Sequence, residues 1–205
     1  MEQGRLYEIA KSVWMDEGQA LSSLIKSVDM DVLSRVTKLL LECKGRILLM
    51  GLGTSSAAAH KIAHTLACVQ IPAFAFSPAD GAHGALGAVC KEDVVIAISK
   101  GGKTQEILRI LPLIKARGAH LIAVTENEGS PLAQGSDVVL QIKVEREACP
   151  FNMLATCSTL AVIAVFDAIA IAVMHSRAYS REEFANIHPG GAVGERLKLE
   201  LSENR

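Results

Sequence analysis

Two Gly/Ser/Thr-rich turns, residues 51–56 and 99–104, contain the side chains of this sequence best suited to binding an anion. Each turn follows an apolar run and precedes a predicted helix, so that its hydroxyls lie at the positive end of a helix dipole. The glycines leave the backbone open to close approach by a ligand. Clustered hydroxyls suit a terminal phosphate monoester better than a buried pyrophosphate. The candidate phosphate ligands are Gly53, Thr54, Ser55, Ser56, Ser99, Lys100, Gly102, Lys103 and Thr104.

Two familiar phosphate-binding loops do not match these turns. The dinucleotide fingerprint has a third glycine where this sequence has Ser56, and it requires an acidic residue at the tip of the next strand. That strand ends at residues 76–77 without an acid. A Walker A loop has a glycine at the position of Ala97. The pattern therefore favours neither a dinucleotide nor a nucleoside triphosphate.

Composition excludes several classes of protein. The chain has 205 residues, a length typical of one large α/β domain, and a formal net charge of −1 that argues against a nucleic-acid partner. The N-terminus is charged and lacks the apolar core of a signal peptide. The apolar run 160–174 is short for a membrane span and contains Asp167, so we interpret it as a buried helix. Five cysteines without metal-like or disulfide-like spacing indicate reduced thiols, and we predict a cytoplasmic protein that binds no membrane.

Strand and helix patterns alternate along the chain and must position the two turns. Apolar runs predict strands over 47–50, 73–76, 94–98, 120–124 and 138–142, with helices over 55–69, 104–116 and 152–176. This alternation predicts an α/β fold with a doubly wound, five-stranded parallel sheet flanked by helices. Ligands of such sheets bind at the carboxyl ends of the strands, where both turns lie. Two further helices precede the first strand, and we expect them to pack on a partner because little sheet is left for them to cover.

Six segments carry a family resemblance. In chain order GLGTSS, AHGALG, VVIAISKGGKTQEI, VEREACP, TCSTLAV and HPGGAVG resemble the sugar isomerase (SIS) domain, most closely its arabinose-5-phosphate isomerase branch. The resemblance covers nearly the whole chain and implies one SIS domain over 1–205: N-terminal helices in 1–45, an α/β core in 46–177 and a C-terminal segment in 178–205. It implies interconversion of ribulose 5-phosphate and arabinose 5-phosphate without a cofactor or metal. Longer members carry two C-terminal CBS modules, so the resemblance implies the short, unregulated form.

The resemblance also implies roles for four side chains. Aldose–ketose isomerisation through an enediol needs a group that removes a carbon-bound proton and a group that moves protons between two oxygens. In the family these catalytic or substrate-contacting roles fall on the positions of Glu106, Glu147, His188 and His83. The C-terminal histidine is supplied across a subunit interface, which implies a homodimer or homotetramer. By contrast, the i, i+4 pair His60 and His64 has no acids nearby on its helix face, and we interpret it as structural rather than metal-binding.

The sequence departs from the family pattern in the first turn. The usual G-x-G-K-S-G places a lysine where this chain has Thr54 and a glycine where it has Ser56. In the second turn, lysines occupy positions 100 and 103. Three alternatives follow: Lys100 or Lys103 restores the charge, the substrate is a different sugar phosphate, or the chain is a non-catalytic phosphosugar-binding module.

Overall fold

The computed structural model describes residues 2–203 and contains one five-stranded parallel sheet. Its strands run in the order β2–β1–β3–β4–β5, which confirms the predicted doubly wound sheet. Three of the strands end within one residue of their predicted limits, and two match them. The strands are β1 (Ile47–Met50), β2 (Ala73–Ala75), β3 (Val94–Ile98), β4 (His120–Thr125) and β5 (Val138–Gln141).

Helices cover both faces of the sheet. They are α1 (Gln3–Ser27), α2 (Met30–Glu42), α3 (Thr54–Ala67), α4 (Pro78–Gly81), α5 (Gln105–Ala116), α6 (Pro131–Gln134), α7 (Cys157–Ser176), α8 (Arg181–Ile187) and α9 (Gly191–Glu203), with a 3₁₀ turn at Ala85–Ala88. Alternate strand residues point to opposite faces, so Ile47 and Leu49 pack with α3 and α7 while Leu48 and Met50 pack with α5. The two cores explain why the central strands read as continuous apolar runs.

The N-terminal helices find more packing surface within the subunit than we expected. Helix α2 packs against β5 and α7 and buries Val36 and Leu40, so it does find sheet to cover within the subunit, and a partner for this helix stays a prediction. Helix α1 packs along α7 but has Ala20 as its one buried residue. Its outer surface exposes several large apolar side chains: Leu6, Tyr7, Ile9, Trp14, Met15 and Ile25.

Helix α7 is the central helix of one face. Its 20 residues are long and apolar enough to cross a membrane by those two criteria alone. In this fold it packs against α1, α2 and α3, and Asp167 forms an ion pair with Lys61 of α3. The predicted burial holds for one face of the helix, whereas Ile171 is exposed on another. It begins at Cys157 rather than at the predicted residue 152, because the preceding residues fold around the carboxylate of Glu147.

Candidate functional site

A cavity opens at the carboxyl ends of β1, β3 and β4. The sheet order reverses between β1 and β3, and ligands of doubly wound folds bind at such switch points. The cavity is lined on one side by the start of α3 and on the other by the start of α7. Its polar lining residues are Thr54, Ser55, Lys100, Thr125, Glu126, Ser158 and Thr159.

The first turn brings the N-terminus of α3 to this cavity. Gly53 precedes the helix with φ +57°, a left-handed conformation that favours glycine. At Gly51 a Cβ atom would lie 2.6 Å from the backbone of Ser55, so a side chain there would push the turn apart. No side chain caps the N-terminus of α3, although the hydroxyls of Thr54 and Ser55 line the cavity. Ser56 is half-buried outside the cavity lining.

The second turn is held rigidly between β3 and the loop after β4. The Ser99 and Thr104 hydroxyl oxygens lie 2.8 Å apart. The Thr125 hydroxyl donates to the carbonyl of Lys100 at 2.8 Å. Gly102 has φ +65°, and a Cβ there would lie 2.1 Å from the hydroxyl oxygen of Ser130. Only glycine therefore fits this turn without displacing the neighbouring loop.

The helices after the two turns differ in their N-termini from helices such as α2 and α8. Thr104 stands at the N-cap of α5, yet its side chain makes no capping bond. In α2 the side chain of Asp29 accepts two backbone N–H bonds, and in α8 Ser180 and Glu183 form a capping box. Capping by a side chain neutralises the N–H groups that begin a helix. The N-termini of α3 and α5 therefore lack the internal anion or hydroxyl that such groups usually bind.

Glu147 is buried against the N-terminus of α7, with none of its side-chain surface exposed. Its Oε2 accepts the backbone N–H groups of Thr156 at 2.9 Å and Ser158 at 3.1 Å, and both hydroxyls also donate to the carboxylate. Lys100 donates to Oε1 at 2.6 Å. Burial alone raises the pKa of Glu147, but the hydrogen bonds from Lys100, Ser158 and Thr156 outweigh burial and lower the pKa to about 2. The carboxylate is thus the N-terminal cap of α7, supplied from outside the helix.

The remaining predicted residues lie outside the cavity lining of the single chain. Glu106 is exposed in the first turn of α5, and His83 is exposed just after α4, which packs against α5. His188 is half-buried, with its Nδ1 3.0 Å from the Phe184 carbonyl oxygen and its ring stacked on Phe184 at 4.0 Å. Lys103 is exposed. The structure therefore brings Thr54, Ser55 and Lys100 together, whereas the predicted proton-transferring groups are distributed around the chain.

Sequence reasoning missed the second wall of the cavity. Ser158 and Thr159 lie in the first turn of α7, Thr125 ends β4, and Glu126 follows it. A signal for the first pair existed: hydroxyl residues at the start of a long apolar helix resemble the composition of the first turn. A signal for the second pair was its place after a parallel strand, at the same edge of the sheet.

Metal ligands do not cluster in the described part of the chain. Within residues 2–203 the structure forms no group of three or more His, Cys, Asp and Glu side chains able to hold a metal ion. His60 and His64 are exposed on α3, and the His64 Nε2 lies 3.8 Å from the Sγ of Cys68. The interpretation of these histidines as structural stays a prediction.

Comparison with known proteins links the cavity to a family. The SIS domain model matches residues 40–172. The chain is 43% identical over 187 residues to arabinose 5-phosphate isomerase KdsD of Pseudomonas aeruginosa, an alignment that covers 91% of this chain and 57% of that protein. The chain thus spans just over half the length of this curated relative.

Two solved structures match along their whole length. A Listeria monocytogenes protein assigned as a sugar-phosphate isomerase superimposes with a TM-score of 0.91 at 41% identity, covering 93% of this chain and 100% of that one. The Escherichia coli CFT073 protein c3406, solved in complex with arabinose 5-phosphate, superimposes with a TM-score of 0.88 at 34% identity, covering 92% and 100%. These matches show that the chain shares one fold with both proteins.

Proposed function

Because the chain belongs to the SIS domain family, we propose that it is an aldose–ketose isomerase that interconverts ribulose 5-phosphate and arabinose 5-phosphate. The observation that carries the proposal is the cavity at the switch point, where Thr54, Ser55 and Lys100 meet. The choice of sugar is supported by the 43% sequence identity to arabinose 5-phosphate isomerase KdsD and by the 34% identity to the c3406 protein, which was solved with arabinose 5-phosphate.

The substrate's phosphate group is the part of the ligand that the two turns suit best. Hydroxyls and free helix N–H groups bind a phosphate monoester by hydrogen bonds and by the helix dipole. In the proposal the hydroxyls of Thr54 and Ser55, which line the cavity at the start of α3, bind the phosphate. Ser99 and Thr104, before α5, are assigned to the same phosphate, although they lie outside the cavity lining and their hydroxyls bond to each other. The supporting observation is that neither helix N-terminus has a side-chain cap.

The proton transfers need groups that can reach the sugar. A base removes a proton from C1 of the ketose and leaves an enediolate, the proton on O1 moves to O2, and C2 takes a proton back from the base to give the aldose. We assign these steps to Glu106, His83 and His188. The exposure of Glu106 and His83 and the packing of α4 on α5 support the first two assignments.

The active assembly in this proposal is a homodimer or homotetramer. His188 does not line the cavity of its own chain, and in this proposal a second copy supplies it. The apolar outer surface of α1, with Trp14 65% exposed and Met15 64% exposed, is a surface that such an assembly would cover. A cytoplasmic location belongs to the same proposal and is supported by the five cysteines, all of which are free thiols.

Turnover by the purified protein tests the function. We expect ribulose 5-phosphate to give arabinose 5-phosphate, and Glu106→Gln to lower kcat by about 10²–10⁴-fold while arabinose 5-phosphate still binds, because general base catalysis contributes on that scale. Glu92→Gln, at the opposite edge of the sheet, is the matched control and should leave kcat unchanged. Undiminished turnover by Glu106→Gln would remove this residue from the mechanism.

The alternative is a phosphosugar-binding module without catalysis, which the hydroxyl residue Thr54 at the family's lysine position favours. A thermal-shift panel of pentose and hexose phosphates separates the two proposals. A clear upward shift without turnover of ribulose 5-phosphate would support the binding module and contradict the isomerase.

A further inference from the structure

Lys100 is the cation of the cavity: among the residues that the structure describes, no other lysine and no arginine lines it. Its ammonium nitrogen lies 2.6 Å from Oε1 of Glu147. The Lys100 side chain is 39% exposed, whereas that of Glu147 is 0% exposed. The cation of this pair therefore faces the cavity, and the anion lies behind it.

Glu147 is fixed by contacts that do not involve Lys100. The backbone N–H groups and hydroxyls of Thr156 and Ser158 all donate to its carboxylate, so the partner of the ammonium cannot move freely. An ammonium carries three N–H donors, and one of them points to Glu147. Two donors remain for a ligand in the cavity.

The same contacts argue against proton transfer by Glu147 itself. A general base needs an oxygen within hydrogen-bond reach of the proton it removes. Both oxygens of this carboxylate already accept hydrogen bonds, and none of its side-chain surface is exposed. The carboxylate can influence a ligand through Lys100, which stands between it and the cavity.

We propose that Lys100 donates a hydrogen bond to a phosphate oxygen of the bound sugar phosphate, and that Glu147 is a positioning residue acting through Lys100. The inference rests on the proposed function, since it names the side chains that this substrate meets. Thr54 and Ser55 line the same cavity, so the phosphate accepts hydroxyl and ammonium bonds together. Bonds from an ammonium to a phosphate are shorter and stronger than those between neutral groups.

The Michaelis constant for ribulose 5-phosphate tests the role of Lys100. Lys100→Met should raise KM about ten- to a hundredfold, the range expected for a hydrogen bond to a charged group, and should leave kcat nearly unchanged. Lys143→Met removes an exposed lysine outside the cavity lining and is the matched control, with KM expected within about twofold of the wild type.

A double-mutant cycle tests the role of Glu147. If Glu147 acts through Lys100, Glu147→Gln raises KM in the wild-type background and changes it no further in the Lys100→Met background. A purely structural role would give effects that add. The variant Lys100→Met/Glu147→Gln also removes both charges together, so it keeps the test valid if Lys100→Met alone fails to fold around an unpaired carboxylate.

A variant with its lysine at position 54 instead of position 100 provides a further test. Position 54 lines the same cavity, so adding Thr54→Lys to Lys100→Met/Glu147→Gln places an ammonium on the opposite wall. This addition should lower the raised KM part of the way toward the wild-type value. If the wild type is active and the Lys100 variants have an unchanged KM, or differ from it in a lowered kcat alone, the phosphate contact is overturned. A wild type that neither binds nor converts any pentose phosphate overturns the proposed function, and the inference with it.

Discussion

Three helices begin near the carboxyl ends of the strands, and their N-termini differ in whether a side chain accepts hydrogen bonds from them. The N-terminus of α7 holds the buried carboxylate of Glu147, whereas those of α3 and α5 have no side-chain cap. All three present the positive end of a helix dipole. This protein thus satisfies one such N-terminus with its own anion and leaves the other two without a side-chain cap.

Lys100 connects the two kinds of site. It belongs to the turn before α5, yet its ammonium binds the carboxylate at the start of α7. We call the start of α7 with Glu147 the internal site, and the starts of α3 and α5 the open sites. Substitutions at the internal site should therefore lower mainly the free energy of unfolding. Substitutions at the open sites should lower mainly the affinity for the sugar phosphate.

Removal of the internal anion should have the largest effect. We expect Glu147→Ala to lower the free energy of unfolding by about 3–5 kcal/mol, because it leaves a charged partner and the start of α7 without their acceptor. Urea denaturation measures the loss. Glu145→Ala, an exposed acid two residues earlier, should change the free energy by less than about 0.5 kcal/mol. Equal stabilities of the two variants would contradict the capping role.

A side chain in the second turn should be nearly as damaging. Gly102→Ala combines a left-handed backbone with a contact to Ser130, and we expect a loss of about 2–3 kcal/mol in the free energy of unfolding. Gly101→Ala is the matched control, because a Cβ there meets open space. If both variants were equally stable, the turn would be less rigid than its geometry indicates.

Loss of a hydroxyl at the start of α3 should weaken ligand binding and leave the free energy of unfolding nearly unchanged. We expect Ser55→Ala to weaken arabinose 5-phosphate binding about tenfold, which corresponds to about 1.4 kcal/mol, while its free energy of unfolding stays within about 0.5 kcal/mol of the wild type. Isothermal titration calorimetry measures the affinity, with Ser22→Ala on α1 as control. A destabilised protein with unchanged affinity would reverse the division between the sites.

Lowering the pH should reduce the free energy of unfolding through Glu147, by a smaller amount than the substitutions above. The pKa of Glu147 is lowered to about 2 in the folded chain, below its ordinary value of 4.5. Its contribution to stability is therefore complete above pH 4.5 and is lost as the pH falls toward 2. Between about pH 6 and pH 4 the wild type should lose slightly more stability than Glu147→Gln, as measured by urea denaturation at each pH. Parallel pH profiles would contradict this assignment.

Local patterns were enough to predict the sheet and both turns. Apolar runs flanked by glycine and hydroxyl residues specify short-range structure, so β1 and β3 were predicted at their observed limits. The role of Glu147 could not be predicted in this way. Its acceptor bonds reach residues 156 and 158 and Lys100, and only the folded chain brings these segments together.

The missed wall of the cavity has the same cause. Ser158 and Thr159 face the first turn across the sheet edge, about 100 residues away along the chain, and no sequence period connects such distant segments. The predicted start of α7 was early because apolar residues 153–154 extend the helical pattern. Glu147 instead fixes the loop before Cys157, where the helix begins.

A crystal structure of the protein with arabinose 5-phosphate tests the central claim most directly. We expect the phosphate to lie between the N-termini of α3 and α5, with the Ser55 hydroxyl and the Lys100 ammonium within about 3 Å of its oxygens and the Lys100–Glu147 pair intact. A phosphate bound at the start of α7 in place of Glu147, or outside the cavity altogether, would contradict it.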